Sequence, residues 1–422
     1  MNRVAIVGGL RIPFVKSFSH YLDCSNQEML TVVLKELVNK FALNGKQLGD
    51  VALGAVMKHS SDWNLARECV LGSGLDPKTP GFDLQRACGT SLEAVIQLAN
   101  KIALGQIEVG IAGGSDTNSD APVMVSRNLS RRFIRAGKTL KGMRRLFAFS
   151  GFRPNELVPH FPDVVEPRTM MSMGEHCEEM AKEWKVSRED QDRLALQSHQ
   201  NGSRAYREGF YEDLIISFRG LKRDSTLRDE TSMEKLATLK PAFDKSKLGT
   251  LTAGNSSPLS DGADAVLLAS EAHAKREGLP ILAYFRDAQV SAVDFVNKEG
   301  LLMAPAYAVS ELLSRNKMEL KEFDFFEIHE AFAAQVLCTL KAWESEEYCN
   351  KNLGRSAPMG VVDRLKLNCF GGSVALGHPF AATGARIVGT LGKALQGKAS
   401  RGLVSVCTGG GMGVAAILEG TS

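Results

Sequence analysis

Four side chains in this 422-residue chain stand at the ends of apolar runs and beside small residues: Cys88, His329, His378 and Cys407. A thiol within reach of an imidazole can act as a nucleophile whose proton the ring removes, and a second thiol can carry another proton. Cys88 lies in Arg86-Ala87-Cys88-Gly89-Thr90-Ser91, where a short run after Pro80-Gly81 meets residues at helical spacing (Leu92, Val95, Ile96, Leu98, Ala99, Ile102, Ala103). Thr90 or Ser91 is expected to cap that helix. The sulfur would then face unpaired amides and the positive end of a helix dipole, a setting expected to favour thiolate. Lowering a thiol from about 8.5 to about 7 corresponds to roughly 2 kcal/mol. The same stretch also fits a buried, inert cysteine.

His378 sits in Gly377-His378-Pro379, a sharp turn followed by Ala381-Ala382-Thr383-Gly384. A loop histidine also reads as a surface or capping residue. Cys407 ends an apolar strand and opens into Thr408-Gly409-Gly410-Gly411-Met412-Gly413. Amides in such a tract are expected to be open and suited to an oxyanion or phosphate, although a core cysteine at a tight turn fits equally. The tract does not match G-x-G-x-x-G, and no phosphate-binding G-x-x-x-x-G-K-[ST] occurs. His176 and Cys177 would project about 100° apart from one helix, so no metal site is expected.

The elements that must position these residues alternate. Val4–Val7 reads as a strand, and Met29, Leu30, Val33, Leu34, Leu37, Val38 and Phe41 form a helix face. Val51–Val56 suggests a strand, with a helix around Leu65–Leu71, then the Cys88 helix and a buried strand Val109–Gly114. Strand–helix alternation predicts a layered α/β domain. A mainly helical insert follows, with Met173, Cys177, Met180, Ala181 and Trp184 on one helix and another starting at Ser187 and passing His199. After Pro280 the rhythm resumes: strand Phe325–Ile328, a helix with Phe332, Val336, Leu337 and Leu340, a helix through Ile387–Leu395, and strands Leu403–Cys407 and Val414–Leu418. In each half a candidate site residue precedes a helix and a strand then ends in glycines, which suggests two similar α/β halves with an insert in the first. The expected boundaries are 1–122 for the first half, 123–257 for the insert, 258–279 for the return and 280–422 for the second half.

A net charge of +3 does not point to nucleic acid, and no nucleic-acid motif appears. The eight cysteines are scattered without a C-x-x-C pair, as in a reducing compartment. No leader or membrane span is read, so a cytoplasmic location is expected. Residues Arg127–Arg153 hold nine Lys or Arg and no acid. That run reads as a solvated face, a docking surface for phosphates or a partner subunit, or a contact with an anionic membrane.

Together the motifs resemble the thiolase family over essentially the whole chain. They are Arg11-Ile12-Pro13-Phe14, the Cys88 motif, Ala253-Gly254-Asn255-Ser256-Ser257 with Asp261-Gly262-Ala263, His329-Glu330-Ala331-Phe332, Gly371-Gly372 with Gly377-His378-Pro379, and Cys407 with its glycines. The resemblance implies an αβαβα fold of two similar layered halves with a mainly helical loop domain inserted in the first. His in place of the usual Asn at 329, an insertion around Trp343–Val361 and the basic start of the loop domain lean towards the β-subunit branch of the fatty-acid-oxidation multienzyme complex. His329 would hold the water that the Asn holds, or donate a hydrogen bond itself. Cys88, His329 and His378 also resemble the Cys-His-His set of ketoacyl synthases, against which Cys407 and the intact Gly-His-Pro argue.

By that resemblance Cys88 is the acylated nucleophile, His378 its base, and Cys407 the acid that protonates the departing acetyl-CoA enolate. The amides of Cys88 and Gly409 would form an oxyanion hole. The expected reaction is reversible cleavage of 3-ketoacyl-CoA by CoA in β-oxidation, an acyltransferase activity. Rival readings are biosynthetic acetoacetyl-CoA formation, a ketoacyl synthase and a non-catalytic scaffold subunit. Arg228, Ala242, Phe243 and Ser257 would contact CoA, with Met173, Ala331 and Phe332 near the acyl side. CoA and acyl-CoA enter as substrates, with no cofactor and no metal. A homodimer or dimer of dimers, a hydratase/dehydrogenase α subunit and peripheral membrane contact are the implied partners.

Overall fold

Alternation in the first strand shows how the layers form. In the computed structural model, which describes residues 1–162 and 164–421, β1 spans Val4–Arg11 and sends Val4 and Ile6 to one face and Ala5 and Val7 to the other. A strand apolar on both faces must be covered on both. It runs four residues beyond the expected end at Val7 because Gly8 to Arg11 keep pairing with Leu267 to Asp264, and glycine stands at position 9 where another chain segment comes close. A Cβ there would press on the Gly389 Cα at 3.3 Å.

The first half continues with α1 (Asn26–Lys40), β2 (Asp50–Leu53), α2 (Leu65–Ser73), β3 (Gly81–Asp83), α3 (Thr90–Ala103) and β4 (Val109–Asp116). The chain then leaves the sheet for a helical insert containing α4 (Arg127–Ile134), α5 (Met173–Glu183) and α6 (Arg188–Arg207). It re-enters as β5 (Ser260–Ser270), which lies antiparallel between β1 and β4. The second half is β6 (Ala283–Ala292), α7 (Ala304–Asn316), β7 (Phe325–Ile328), α8 (Ala333–Glu344), α9 (Thr383–Leu395), β8 (Arg401–Thr408) and β9 (Met412–Gly420).

Strand order is β7-β8-β9-β6-β1-β5-β4-β2-β3. The halves match strand for strand: β4 is parallel to β2 and antiparallel to β5, as β8 is parallel to β7 and antiparallel to β9. Where the first half has β3 beside β2, the second has a parallel bridge from Phe326 to Leu367. Antiparallel pairing of β1 with β6, from Val4–Phe285 to Ile6–Ala283, joins the two into one sheet.

Helices α3 and α9 form the middle layer. Leu92, Val95, Ile387, Val388 and Leu391 pack there with Ile6, Val266, Val404 and Val414 from the strands. One outer face is covered by α1 and α2, and the other by α7 and α8, with Val309, Leu312 and Val336 against Leu403 and Ile417. Truncating a middle-layer residue such as Leu391 to Ala is expected to cost about 2–5 kcal/mol. The layers place the two site-bearing turns, before α3 and before α9, at the same rim.

Buried Arg11 ties the insert to the sheet, through Asp224 at 2.5 and 2.7 Å. Asp224 also accepts from the Phe14 amide at 2.7 Å and the Tyr206 hydroxyl at 2.8 Å. The entry motif is thus a structural clasp.

Candidate active site

Cys88 follows Ala87, whose φ of 43° is unfavourable for a residue with a Cβ and must be held by its surroundings. Thr90 holds it. Its amide and its hydroxyl donate to the Ala87 carbonyl at 3.1 and 2.7 Å, and its oxygen accepts from the Arg86 amide at 2.9 Å. The expected side-chain cap is therefore absent. Gly89 is the capping position, and Ser91 Oγ accepts instead from the Ala385 amide at 2.8 Å, joining α3 to α9. These hydroxyls stiffen the turn around the nucleophile rather than close the helix end.

His378 Nε2 lies 3.2 Å from Cys88 Sγ. Its Nδ1 is 2.6 Å from Thr383 Oγ1, which sets the ring. The His378 amide donates to Ser260 Oγ at 3.0 Å, at the start of β5. Buried Asp116 ends β4 and accepts the amides of Val56, Met57 and Ala381 at 2.9, 2.7 and 2.7 Å. It clamps the loop that follows His378. A Cβ at Gly114 would strike the Ala381 carbonyl, so this close approach requires glycine.

The expected thiolate does not form. Burial pushes the Cys88 thiol up to about 12, although the amides of Gly409 and of Cys88 pull the other way. Burial likewise pushes His378 down to about 3, with the Arg386 charge adding to the effect. A helix end stabilises an anion by at most about 2 kcal/mol, less than desolvating one costs. The pair rests as neutral thiol and neutral imidazole.

Cys407 is buried near the end of β8, and its thiol donates to Gln335 Oε1 at 3.4 Å. Burial, and after it the Cys88 sulfur, push this thiol well up, against the pull of its own amide and that of Ala331. Both sulfurs therefore hold protons.

His329 ends β7. Its ring centroid is 4.1 Å from that of His378, its Nδ1 is 2.8 Å from Ser373 Oγ, and its buried Nε2 has no hydrogen-bond partner among the described residues. Burial, the neighbouring His378 and the Arg386 charge push it well down, so the ring is neutral. The Arg386 Nη2 donates to Ser373 Oγ at 2.8 Å. The sulfur of Cys88 and one ring nitrogen from each histidine lie within 4.8 Å of one another. A Cys/His/His donor set thus exists where sequence spacing suggested none.

Two cavities meet at this point. One, of about 230 Å³, is lined by Cys88, His378, Met173, Ala331, Phe332 and Gly409, together with apolar Val164, Val165, Leu259 and Phe380. The other, of about 440 Å³, contains Arg228, Ala242, Phe243 and His199 in its walls, and Ser257 and Leu259 line both. Ser257 donates through its amide and hydroxyl to the Ala331 carbonyl at 3.0 and 2.9 Å, so the Asn255 motif fixes the shared wall. The structure thus gathers all the predicted contact residues along one cleft. The glycine tract is less open than expected, because the Gly410 amide donates to Glu166 Oε1 at 2.6 Å.

Sequence reasoning missed Thr383, Ser373, Arg386, Asp116, Gln335 and Glu166. For Arg386 a signal was present: it is the one cation among the buried positions of the apolar stretch Thr383–Leu395. A fully buried arginine requires partners. Thr383 meets His378 five residues away; the other four are polar residues with partners far away in sequence.

Cys88 and His378, from matching turns of two like halves, line the end of the cleft, while His329 and Cys407 are buried and do not line it. The chain belongs to the thiolase family and is an acyltransferase: the family's N-terminal domain matches residues 4–272 and its C-terminal domain residues 279–420. Over 425 aligned residues it is 39% identical to the 3-ketoacyl-CoA thiolase of Yersinia pestis (strain Pestoides F), covering 99% of this chain and 97% of that protein. The crystal structure of the Bacillus anthracis acetyl-CoA acetyltransferase superposes with a TM-score of 0.82 at 31% identity, covering 100% of this chain and 99% of that one. Human mitochondrial 3-ketoacyl-CoA thiolase in complex with CoA matches with a TM-score of 0.82 at 27% identity, covering 100% and 98%.

Proposed function

We propose that the protein cleaves 3-ketoacyl-CoA with CoA to give acyl-CoA and acetyl-CoA through an acyl-Cys88 intermediate. The observation that carries this reading is the 3.2 Å approach of His378 Nε2 to Cys88 Sγ at the end of the cleft. His378 takes the Cys88 proton as sulfur attacks the keto carbon, so the anion appears only as it is consumed. As the carbon–carbon bond breaks, the enolate oxygen receives hydrogen bonds from protonated His378 and from His329 Nε2. Cys407 delivers its proton to the enolate carbon, and acetyl-CoA leaves.

In the second half Cys407 takes the proton of an incoming CoA thiol, whose sulfur attacks the acyl-Cys88 carbonyl. The tetrahedral oxyanion lies against the amides of Cys88 and Gly409, the same two that act on the Cys88 sulfur. One such donor is typically worth about 3 kcal/mol. Collapse returns sulfur to Cys88, and His378 gives its proton back. All four proton transfers balance without an external acid or base.

CoA would lie along the larger cavity, with Arg228 near its charged end, and the acyl chain in the smaller apolar one. Thiolysis of 3-ketoacyl-CoAs from short to long chain tests the reading. Activity abolished by Cys88→Ser supports it, and retention of activity in that variant refutes it.

The working enzyme is further proposed to be a cytoplasmic homodimer, in keeping with its family and with eight free cysteines. No helix among the described residues is long and apolar enough to cross a membrane. The basic run carries exposed Phe133, Ile134, Met143, Leu146 and Phe147, which supports contact with an anionic membrane surface. Salt-sensitive pelleting with anionic vesicles is expected, and binding that is unchanged after the arginines are neutralised would rule it out.

A further inference from the structure

The Cys88, His329 and His378 cluster has the build of a metal site as well as a catalytic one. A thiol and two imidazoles are preferred donors for Zn²⁺, whose bonds of about 2.3 Å to sulfur and about 2.0 Å to nitrogen hold tetrahedral donor atoms roughly 3.3–3.8 Å apart. Here Sγ of Cys88 and Nε2 of His378 are 3.2 Å apart, and all three donor atoms fall within 4.8 Å. Modest side-chain movement closes the set.

The surroundings fit as well. Ligating histidines ordinarily bond through their other ring nitrogen to a fixed partner, which orients the ring. His378 does so through Nδ1 to Thr383 Oγ1 at 2.6 Å, and His329 through Nδ1 to Ser373 Oγ at 2.8 Å. Each ring is left with Nε2 for the cluster, and that of His329 is buried without a partner among the described residues. The nearby cation, Arg386, is one residue removed behind Ser373 and faces Glu327 at 3.8 Å. Glu166 lines the same cavity and brings a carboxylate to its wall.

We propose that this cluster binds one Zn²⁺ ion in the free enzyme, and that the ion reversibly blocks acyl transfer by occupying the nucleophile. Binding breaks the Cys88 S–H bond, forms one Zn–S and two Zn–N bonds, and releases one proton to solvent; His329 changes tautomer, giving up hydrogen at Nε2 and taking it at Nδ1, which then donates to Ser373 Oγ. Oxidation states do not change. A fourth position stays open to water. Binding itself stands on the donor geometry, whereas the block of turnover rests on the thiolase reading above.

The test uses the chelator-treated full chain in a Cys369→Ser background, since Cys88 and Cys369 are the two incompletely buried cysteines. Titration with Zn²⁺ is expected to show one ion bound and one proton released per chain. Co²⁺ in its place should give a thiolate-to-metal absorption band. Thiolysis should fall with occupancy and return on addition of EDTA.

Stoichiometric binding that disappears when Cys88 is alkylated with iodoacetamide, and again in His329→Asn, supports the proposal. The alkylated parent keeps the test independent of any folding defect in the variant. Absence of stoichiometric binding in the unmodified chain, or binding unchanged by alkylation and by His329→Asn, overturns it. If the chain has no thiolysis activity, the Co²⁺ band still reports the site, so the two readings fail separately.

Discussion

Removing one hydroxyl, in Ser373→Ala, tests how the second histidine is held. A guanidinium can only donate, so Ser373 Oγ accepts from Arg386 Nη2 at 2.8 Å. Its single proton is then free for His329 Nδ1, also 2.8 Å away. That makes Nδ1 the acceptor and leaves Nε2 carrying hydrogen, aimed where the enolate oxygen forms. Without the hydroxyl the neutral ring is free to place its proton on Nδ1, and a lone pair would then face developing negative charge.

Complete loss of one such donor costs about 3 kcal/mol, or roughly a hundredfold in rate. The variant loses the donor in only part of the population, so kcat for thiolysis should fall by about 3–30-fold, with KM little changed. Alkylation of Cys88, which depends on the untouched His378 contact, should proceed at the parental rate. Nitrogen-15 shifts of the His329 ring should move from the Nε2-protonated pattern towards a mixture. A kcat within about twofold of the parent, or a loss matched by slower alkylation, would refute the relay. Burying an Arg386 N–H without its acceptor should also lower stability by about 1–3 kcal/mol.

Cys407→Ser should still acylate Cys88 but lose exchange of the acetyl-CoA α-proton by about 10²–10⁴-fold; equal loss of both partial reactions contradicts the division of labour. The buried His378, pushed from 6.5 down to about 3, stays neutral in the fold while the unfolded chain takes up a proton. Stability should therefore fall as pH drops from 6.5 towards 3, and His378→Asn should flatten that part of a Tm-against-pH curve. Cys88 has the opposite sign: its thiol, pushed up to about 12, contributes stability that is lost as pH rises through the alkaline range. Its alkylation rate should climb steeply there rather than level off near neutrality. Asp224→Asn should destabilise the chain by about 3–5 kcal/mol in urea unfolding by leaving buried Arg11 without its counter-charge.

Much of this architecture was readable because periodicity survives burial. The apolar spacing of α3 and α9 and the runs in β7, β8 and β9 are local patterns, and Cys88, His378 and Cys407 stand where those patterns break. What was not readable depends on distant neighbours. The thiolate expected from a helix N-terminus gives way to desolvation by side chains from several parts of the chain. The hydroxyl of Thr90 prefers the Ala87 carbonyl to a free amide, a choice set by the left-handed turn before the cysteine. The Gly410 amide meets Glu166 from a strand in the insert, and Ser373 meets Arg386 and His329 from two other elements. The Glu166–Gly410 and Ser373–His329 pairs span 244 and 44 residues, beyond any local pattern, whereas the Thr90 bond is local and depends on a backbone turn that residue types alone do not show.

The bond from Ser260 to the His378 backbone also bears on engineering. The residue that seats the general base is the first of the strand by which the insert rejoins the sheet, so the insert's exit is not a neutral joint. A chimera that takes its loop domain from another thiolase must keep a hydroxyl at that junction. Without one, a graft meant to change only which acyl chains are gripped would loosen the imidazole and slow every substrate alike.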